Sequence, residues 1–365
     1  MMRPKVVVHT NGPCKLLNDM WRMLTSLSSS LRSVYQGSDI RMRVARFRNW
    51  FDRMGQCDAD GIDYDYVRTV NEYYDLCSEF MQFGWSESLH FAPLTREESL
   101  EESIVRHQRL MIEKLELREG MVVADVGCGV GGPMRRVARE SGARVACINN
   151  NVQQLERAKR RNVETGLDDM AEYIKCNFMD MSVIEPNSFD AGYAIESICH
   201  APDKVRAFAE IFRILKPGAL LWGQEMCMTE KFNPDHRLHR TIKDELMLGI
   251  ALKEIATFSE VDSAIEAAGF QIIQAADMDD REGEGIPWYS PMESQSGTLR
   301  NAFRRTPLGR KALVAGLRMA EMFRFFPRGS VAIVQLMERT AEAYVAGGKM
   351  GIFTPLYCFL ARKPS

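Results

Sequence analysis

An excess of charge of one sign is missing from this 365-residue chain: 47 Lys and Arg face 49 Asp and Glu, leaving a formal net charge of −2. Nothing global points to nucleic acid, and none is expected as a partner. Long apolar runs are missing too. No segment reaches the roughly eighteen uninterrupted apolar residues of a membrane-spanning helix. The N-terminus lacks the basic-then-apolar pattern of a secretory signal. The nine cysteines are odd in number and form no C-x-x-C pair. That argues against a disulfide frame and fits a reducing, cytoplasmic compartment. There is no G-x-S-x-G elbow, and no cysteine sits in a recognisable nucleophile motif. His236 and His239 lack an obvious third ligand nearby, so no metal is expected. Internal repeats are absent, and Ser26 to Ser33 comes nearest to low complexity.

What is there begins with Val123 to Gly132, which reads VADVGCGVGG. An apolar segment ends in an acidic residue and a glycine-dense turn follows at once. A parallel strand delivers a tight loop beneath a flat ligand in this way. Glycine suits the loop because the backbone turns sharply and approaches the ligand closely, where a Cβ would obstruct both. Met134, Val137 and Ala138 then recur at the spacing of a helix packed back onto the sheet. Gly127, Gly129 and Gly132 also satisfy G-x-G-x-x-G, which alone is a weak dinucleotide signal. Two features weigh against NAD(P). Asp125 at the loop mouth can hold a cationic or hydroxyl-bearing ligand but would repel a pyrophosphate. One βα unit later a nicotinamide enzyme carries Asp or Glu for the ribose, whereas this strand end reads Asn149-Asn150-Asn151. S-adenosyl-L-methionine is the expected cofactor, with NAD(P) the alternative.

The length suits one large α/β domain with an elaborated cap. Strands are expected near Val122–Val126, Arg144–Asn149, Ala171–Cys176, Phe189–Ile195, Ala219–Glu225 and Phe270–Met278. Helices are expected near Met134–Ser141, Val152–Thr165, Asp203–Leu215 and Ser259–Ala268. This alternation indicates a doubly wound, mostly parallel sheet. Thr95 to Glu98 looks like a capping box opening a helix through Leu115. Lys216 to Gly218 is expected to be a turn, and Gly269 a helix cap. Residues 286–350 interrupt the alternation, with a helix from Arg310 to Phe326 whose apolar stripe includes Leu313, Val314, Leu317, Ala320 and Phe323. Met319 and Met322 there suit an awkwardly shaped apolar ligand or, more plainly, a core-facing helix. Pro355 to Arg362 is expected to be a final edge strand. Near the N-terminus a helix from Leu16 to Tyr35 precedes Arg41, Arg43, Arg46, Arg48 and Arg53, with Phe47, Trp50 and Phe51 between them. A helix docking its aromatics on the core is the plainer reading, and a peripheral membrane contact the sharper one.

Several stretches together resemble the sterol 24-C-methyltransferase family. They are Phe83 to Phe91, Asp125 to Pro133, Asn149 to Asn151, Tyr193 to Pro202, Ile286 to Tyr289, Gly347 to Pro355 and Leu360 to Pro364. The likeness covers residues 65 to 365, and several of these motifs are not general methyltransferase features. It implies a Rossmann-like class I methyltransferase fold, with a seven-stranded sheet closed by an antiparallel last strand. It also implies methylation of the side-chain double bond of a sterol. On this reading residues 1–95 form an N-terminal helical substrate cap, 96–285 the cofactor-binding core, and 286–365 a C-terminal region ending in the edge strand. The family's Tyr-Glu-Tyr before Gly-Trp is Met81-Gln82-Phe83 here, its Glu-Trp-Cys is Glu225-Met226-Cys227, and a Gly-Asn-Gly-Leu-Pro-like stretch is Gly249 to Lys253. The cofactor loop therefore matches better than the acceptor side, and another triterpenoid acceptor or a non-catalytic lipid-binding role remain the alternatives. A homo-oligomer is left open.

Methylating an isolated alkene needs alignment in a dry pocket, aromatic faces for the resulting cation, and a base for the departing proton. Phe83, Trp85, Phe91 and Tyr193 are the aromatic candidates on the substrate side, with core packing as their plain alternative. His90, Glu196, His200 and Glu225 are candidates for the base or for electrostatic support, though His200 could cap a turn and Glu196 could pair with an arginine. On the cofactor side, Asp125 and the loop of Gly127, Cys128, Gly129 and Gly131 should face the methionine end. Asn149, with Asn150 and Gln154 behind it, should take the ribose. Asn177 and Phe178 should bracket adenine.

Overall fold

From Val122 onward, short strands alternate with amphipathic helices, and the strands gather into one sheet. The computed structural model describes residues 39–53, 66–279, 285–293 and 307–365, with single positions between 25 and 35. The helix read from Leu16 to Tyr35 lies largely outside them.

The helices are α1 (Ile40–Arg53), α2 (Tyr66–Gly84), α3 (Leu100–Lys114), α4 (Gly132–Ser141), α5 (Val152–Glu164), α6 (Lys204–Ile214), α7 (Arg237–Gly249), α8 (Phe258–Ala267), α9 (Pro307–Met322) and α10 (Ser330–Met350). The strands are β1 (Leu94–Thr95), β2 (Val122–Val126), β3 (Arg144–Asn149), β4 (Ala171–Lys175), β5 (Phe189–Ile195), β6 (Leu215–Met228), β7 (Gln271–Asp277), β8 (Gly285–Ile286) and β9 (Phe353–Arg362). Seven strands form the main sheet in the order β4-β3-β2-β5-β6-β9-β7, while β1 and β8 pair by themselves.

The pairs joining β4, β3, β2, β5 and β6 are parallel, and β9 runs antiparallel to both of its neighbours. The mostly parallel, doubly wound sheet expected from the sequence is therefore present. The chain winds outward from β2 to β4, then returns to place β5 on the other side of β2. In open α/β sheets this reversal opens a ligand crevice beyond the strand ends. One face of the sheet is covered by apolar residues of α6 and α8, such as Phe208, Ile211, Val261 and Ile265. The other is covered by Met111 from α3 and Leu115 just after it, Met134 and Val137 from α4, and Leu155 from α5.

Three expectations need correction. The last strand is not an edge. β9 sits between β6 and β7, buried from Phe353 to Ala361, and β7 is the edge. The unbroken apolar run Leu356 to Ala361 is the pattern of a strand covered on both faces. The capping box lies later than Thr95. Ser99 accepts from the Glu102 amide and Glu102 reaches back to Ser99, while Thr95 belongs to β1. The segment Lys216 to Gly218 is no free turn. It lies inside β6, whose register with β5 shifts between Phe189 and Ala191.

The helices α1, α2, α9 and α10 pack together around a core of their own that includes Phe47, Leu76, Phe80, Ile333 and Leu336. The arginine-aromatic stretch is α1 docking on α2. Phe47 packs on Tyr73 at 5.9 Å between ring centroids, and Arg43 makes a bidentate pair with Glu72 at 2.8 and 3.1 Å. Arg46 shares Glu72, and both Arg46 and Arg68 lie over the Trp50 ring. The plainer reading of that stretch is the one the fold bears out. Among the described residues no helix is long and apolar enough to cross a membrane.

Candidate active site

The loop after β2 is pinned from beneath. The amides of Gly127 and Cys128 both donate to the Ile148 carbonyl, at 2.9 and 3.2 Å. Gly129 is in the left-handed region with φ +54, and a Cβ built there meets nothing within 4 Å. The loop thus leaves a space that only the absence of a side chain keeps open. Gly132 needs its bareness for a different reason. A Cβ there would stand 2.3 Å from Ser88 Oγ and 2.7 Å from the Glu87 carbonyl, so the segment after α2 lies directly on the glycine loop. Glu87 ties that segment down by pairing with Arg135 at 3.3 Å and with Arg161.

A cleft opens between this loop, the end of β5 and α2. Its walls include Asp125, Gly127, Cys128, Gly129, Asn149, Asn150, Gln154, Phe178, Glu196, His200 and His90. Burial pushes the Asp125 carboxyl up to about 7, although the Tyr193 hydroxyl donates to it at 2.9 Å. A cationic group entering the cleft would bring it back down. Asn149 donates to Gln154 Oε1 at 2.9 Å, and its own oxygen accepts the Asn151 amide at 3.1 Å.

Glu196 is the unusual wall residue. It follows β5 with φ +50, a conformation uncommon for a residue with a side chain and often found where function requires it. It is 7% exposed and, among the described residues, has no cationic partner. Its Oε1 accepts the Phe91 amide at 2.6 Å and the Gln224 side-chain amide at 2.8 Å. Burial, with help from the nearby Glu225, lifts it to about 8. Two neutral histidines flank it. Burial pushes His90 and His200 each down to about 4. His90 Nδ1 bonds the Phe91 carbonyl at 2.7 Å, and His200 Nε2 meets the Tyr74 hydroxyl at 2.9 Å.

The cofactor-type loop of this cleft has matches elsewhere. A family profile described as a methyltransferase domain matches residues 124–223, and one described as the sterol methyltransferase C-terminal region matches 301–365. The cycloartenol-C-24-methyltransferase of Arabidopsis thaliana is 39% identical over 338 residues, covering 93% of this chain and 99% of that one. The chain belongs to the sterol 24-C-methyltransferase family. It is an S-adenosylmethionine-dependent methyltransferase. The sterol 24-C-methyltransferase ERG6 of Saccharomyces cerevisiae is 35% identical, covering 87% of this chain and 84% of its own. The solved cyclopropane synthase MmaA2 from Mycobacterium tuberculosis shares the fold, with a TM-score of 0.60 at 19% identity over 81% of this chain and 98% of that one.

Not every residue singled out in the sequence of this sterol 24-C-methyltransferase family member reaches the cleft. Tyr193 is fully buried behind Asp125. Trp85 donates to the His90 carbonyl at 3.0 Å and packs edge-on against Phe91 at 5.0 Å. Phe91 faces Trp288 and Tyr344 within an aromatic cluster behind the wall. These rings shape the segment that carries His90. Glu225 pairs with Lys204 at 3.2 Å instead of facing the cleft. Asn177 turns its oxygen to the Met179 amide and the Tyr66 hydroxyl, and only its neighbour Phe178 lines the wall. Gly131 makes the αL entry to α4. The side chain of Phe83 lies outside the described residues.

Sequence reasoning missed a whole wall. Tyr66, Val70 and Tyr74 all line the cleft from α2. They stand at i, i+4 and i+8, so this apolar-aromatic helical spacing was the available signal.

The open space at Gly129 gives a direct test. If the open space at Gly129 is where the cofactor sits, Gly129→Ala should weaken cofactor binding by an order of magnitude or more in calorimetry, because its methyl group enters that space. The thermal midpoint should change much less than it does in Gly132→Ala, whose methyl strikes backbone.

Proposed function

We propose that this methyltransferase adds a methyl group to the C-24 side-chain double bond of a sterol. The observation that carries this reading is Glu196: a buried carboxylate with no cation beside it among the described residues, on the wall of a cofactor-type cleft, among neutral and aromatic groups. Such a group is expensive to bury without a functional reason.

The residues present suit the cofactor. Asp125 and the bare loop at Gly127 and Gly129 would take its cationic methionine end, Asn149 and Gln154 its ribose hydroxyls, and Phe178 with Tyr66 its adenine face. When bound, S-adenosylmethionine supplies an electrophilic methyl group: the alkene π pair bonds to that carbon, the S–C pair stays on sulfur, and the sterol side chain becomes a carbocation.

The chain's residues then act on that cation. The Tyr74 ring and the Glu196 carboxylate stabilise it by π density and charge without being methylated. A C–H bond next to the cation breaks, its electron pair becomes the new C=C bond, and the proton passes to Glu196 Oε2. The other oxygen, Oε1, is already occupied by two N–H donors. His90 and His200 stay neutral, so they add no positive charge to repel the cation.

Methyl-labelled S-adenosylmethionine and cycloartenol, incubated with the purified chain, should give labelled sterol heavier by one CH2. Label appearing only in a linear triterpene offered in parallel would reassign the acceptor. Cofactor binding without any labelled product would overturn the reading.

A further inference from the structure

We propose that Gln224 is a positioning residue for Glu196: its side-chain amide, itself oriented by His107, binds one carboxylate oxygen and leaves the other for the substrate. This rests on the reading of Glu196 as the group that accepts the proton.

Gln224 is fully buried in β6, and a buried amide there must satisfy every polar atom. Its Nε2 faces three oxygens: Glu196 Oε1 at 2.8 Å, the Pro355 carbonyl at 3.1 Å and the Phe91 carbonyl at 3.2 Å. Its Oε1 lies 2.8 Å from His107 Nε2. Rotating the amide by half a turn would set its oxygen against three acceptors, so only one orientation is tolerable. With Gln224 Oε1 as acceptor, His107 must carry its proton on Nε2. His107 Nδ1 is then a bare, buried nitrogen with no partner among the described residues, and the ring's polar contacts, Gln224 Oε1 and Cys358 Sγ at 3.9 Å, all fall on Nε2.

The backbone repeats the arrangement. The Glu196 amide donates to the Gln224 carbonyl at 2.8 Å, and Phe91 donates to Glu196 Oε1 while accepting from Gln224. Gln224, Glu196 and Phe91 thus close a ring of hydrogen bonds around one carboxylate oxygen. Among the described residues, no hydrogen bond falls on Glu196 Oε2.

The groups facing Glu196 leave it little other support. Glu225 on β6 opposes its charge and is itself paired with Lys204. Tyr74 from α2, Tyr344 from α10, Cys199 after β5 and Cys358 from β9 all interact with it, and burial holds each in its neutral form. His90, His107 and His200 are held neutral as well. Two N–H donors, from Phe91 and Gln224, therefore carry the task of keeping the carboxylate ionisable, and only the second can be removed by mutation.

The test is the pH profile of turnover, read with labelled cofactor and cycloartenol. Gln224→Leu keeps the volume and removes the donor. The acid limb of its profile should move up by about one pH unit, so turnover at pH 7 falls roughly ten-fold and recovers at high pH. Cofactor affinity should stay within about two-fold. His107→Phe, which frees the Gln224 amide, should shift the limb the same way by less. His107→Gln, which can still donate, should restore it. If Gln224→Leu does not fold, the two His107 variants carry the test. A uniform loss of turnover with an unmoved limb in these variants, alongside an inactive Glu196→Gln, would make Gln224 and His107 packing residues and leave the role of Glu196 standing. An active Glu196→Gln would remove that role and this proposal with it.

Discussion

Glu196→Gln is expected to lower turnover by about two to four orders of magnitude, the span general-base removal commonly produces. Cofactor binding should survive. Glutamine keeps an oxygen for the Phe91 amide and for Gln224, so the wall of the cleft keeps its shape, and what disappears is the proton acceptor. Labelled-product assays over a range of pH, with calorimetry of cofactor binding, measure the two effects separately. A variant retaining a tenth or more of wild-type turnover would show that the proton leaves by another route.

The same substitution should raise stability at high pH, and the sign follows from the burial of the carboxyl. Its folded value is lifted to about 8 from an ordinary 4.5. The folded state therefore favours the protonated form. That contribution is complete below about pH 4.5 and is lost as pH rises through about 8. Glutamine never ionises, so Glu196→Gln should match the wild type at pH 5 and exceed it near pH 9. Wild-type turnover should move in the opposite sense, rising with pH toward 8 as the base ionises. A site that is most active where it is least stable is what a functional buried carboxylate produces.

Much of this molecule is legible in its sequence. The strands β2, β3 and β5 end where their apolar runs end. The glycine loop announces the cleft, because a left-handed turn with open space above it, as at Gly129, calls for a residue without a side chain. What stayed hidden depends on tertiary placement. The insertion of β9 between β6 and β7 is a matter of strand order, which no local pattern encodes, although its continuous burial left a trace. α2 carries Tyr66, Tyr73 and Tyr74 amid charged residues, so its two faces blur until one packs on the cap and the other on the cleft. Trp85, Phe91 and Tyr193 could be recognised as important, but an aromatic residue in a motif can line a ligand or hold the segment that does. Only the hydrogen bond from Trp85 to His90 and that from Tyr193 to Asp125 distinguish the two. Gln224 is the reverse case: an unremarkable glutamine until His107, Phe91 and Glu196 are seen around it.

Lys204→Met should destabilise the fold by about 3–5 kcal/mol near pH 8, because it strands a buried charge. Glu225 is 1% exposed, and Lys204 Nζ is its cation at 3.2 Å. That same ammonium donates to the Ile198 carbonyl at 2.9 Å, holding the turn that carries His200. Burial already raises Glu225 above its ordinary value with the lysine in place. Without Lys204 it rises further, so the folded state gains a preference for the neutral acid. The deficit should accordingly be small near pH 5 and grow as pH climbs, appearing as a fall of roughly 5–10 °C in thermal midpoint at pH 8. Lys204→Met/Glu225→Gln should recover most of the loss, since no charge is left to strand, and the double-mutant cycle isolates the pair from the Ile198 bond. Turnover carries a further signature. The freed Glu225 charge would press on Glu196 and raise it, moving the acid limb of the single variant upward, whereas the double variant should return that limb to or below the wild-type position. An equal deficit at pH 5 and pH 8 would mean that Lys204 matters only as an anchor for the turn, and that Glu225 contributes no charge to the site.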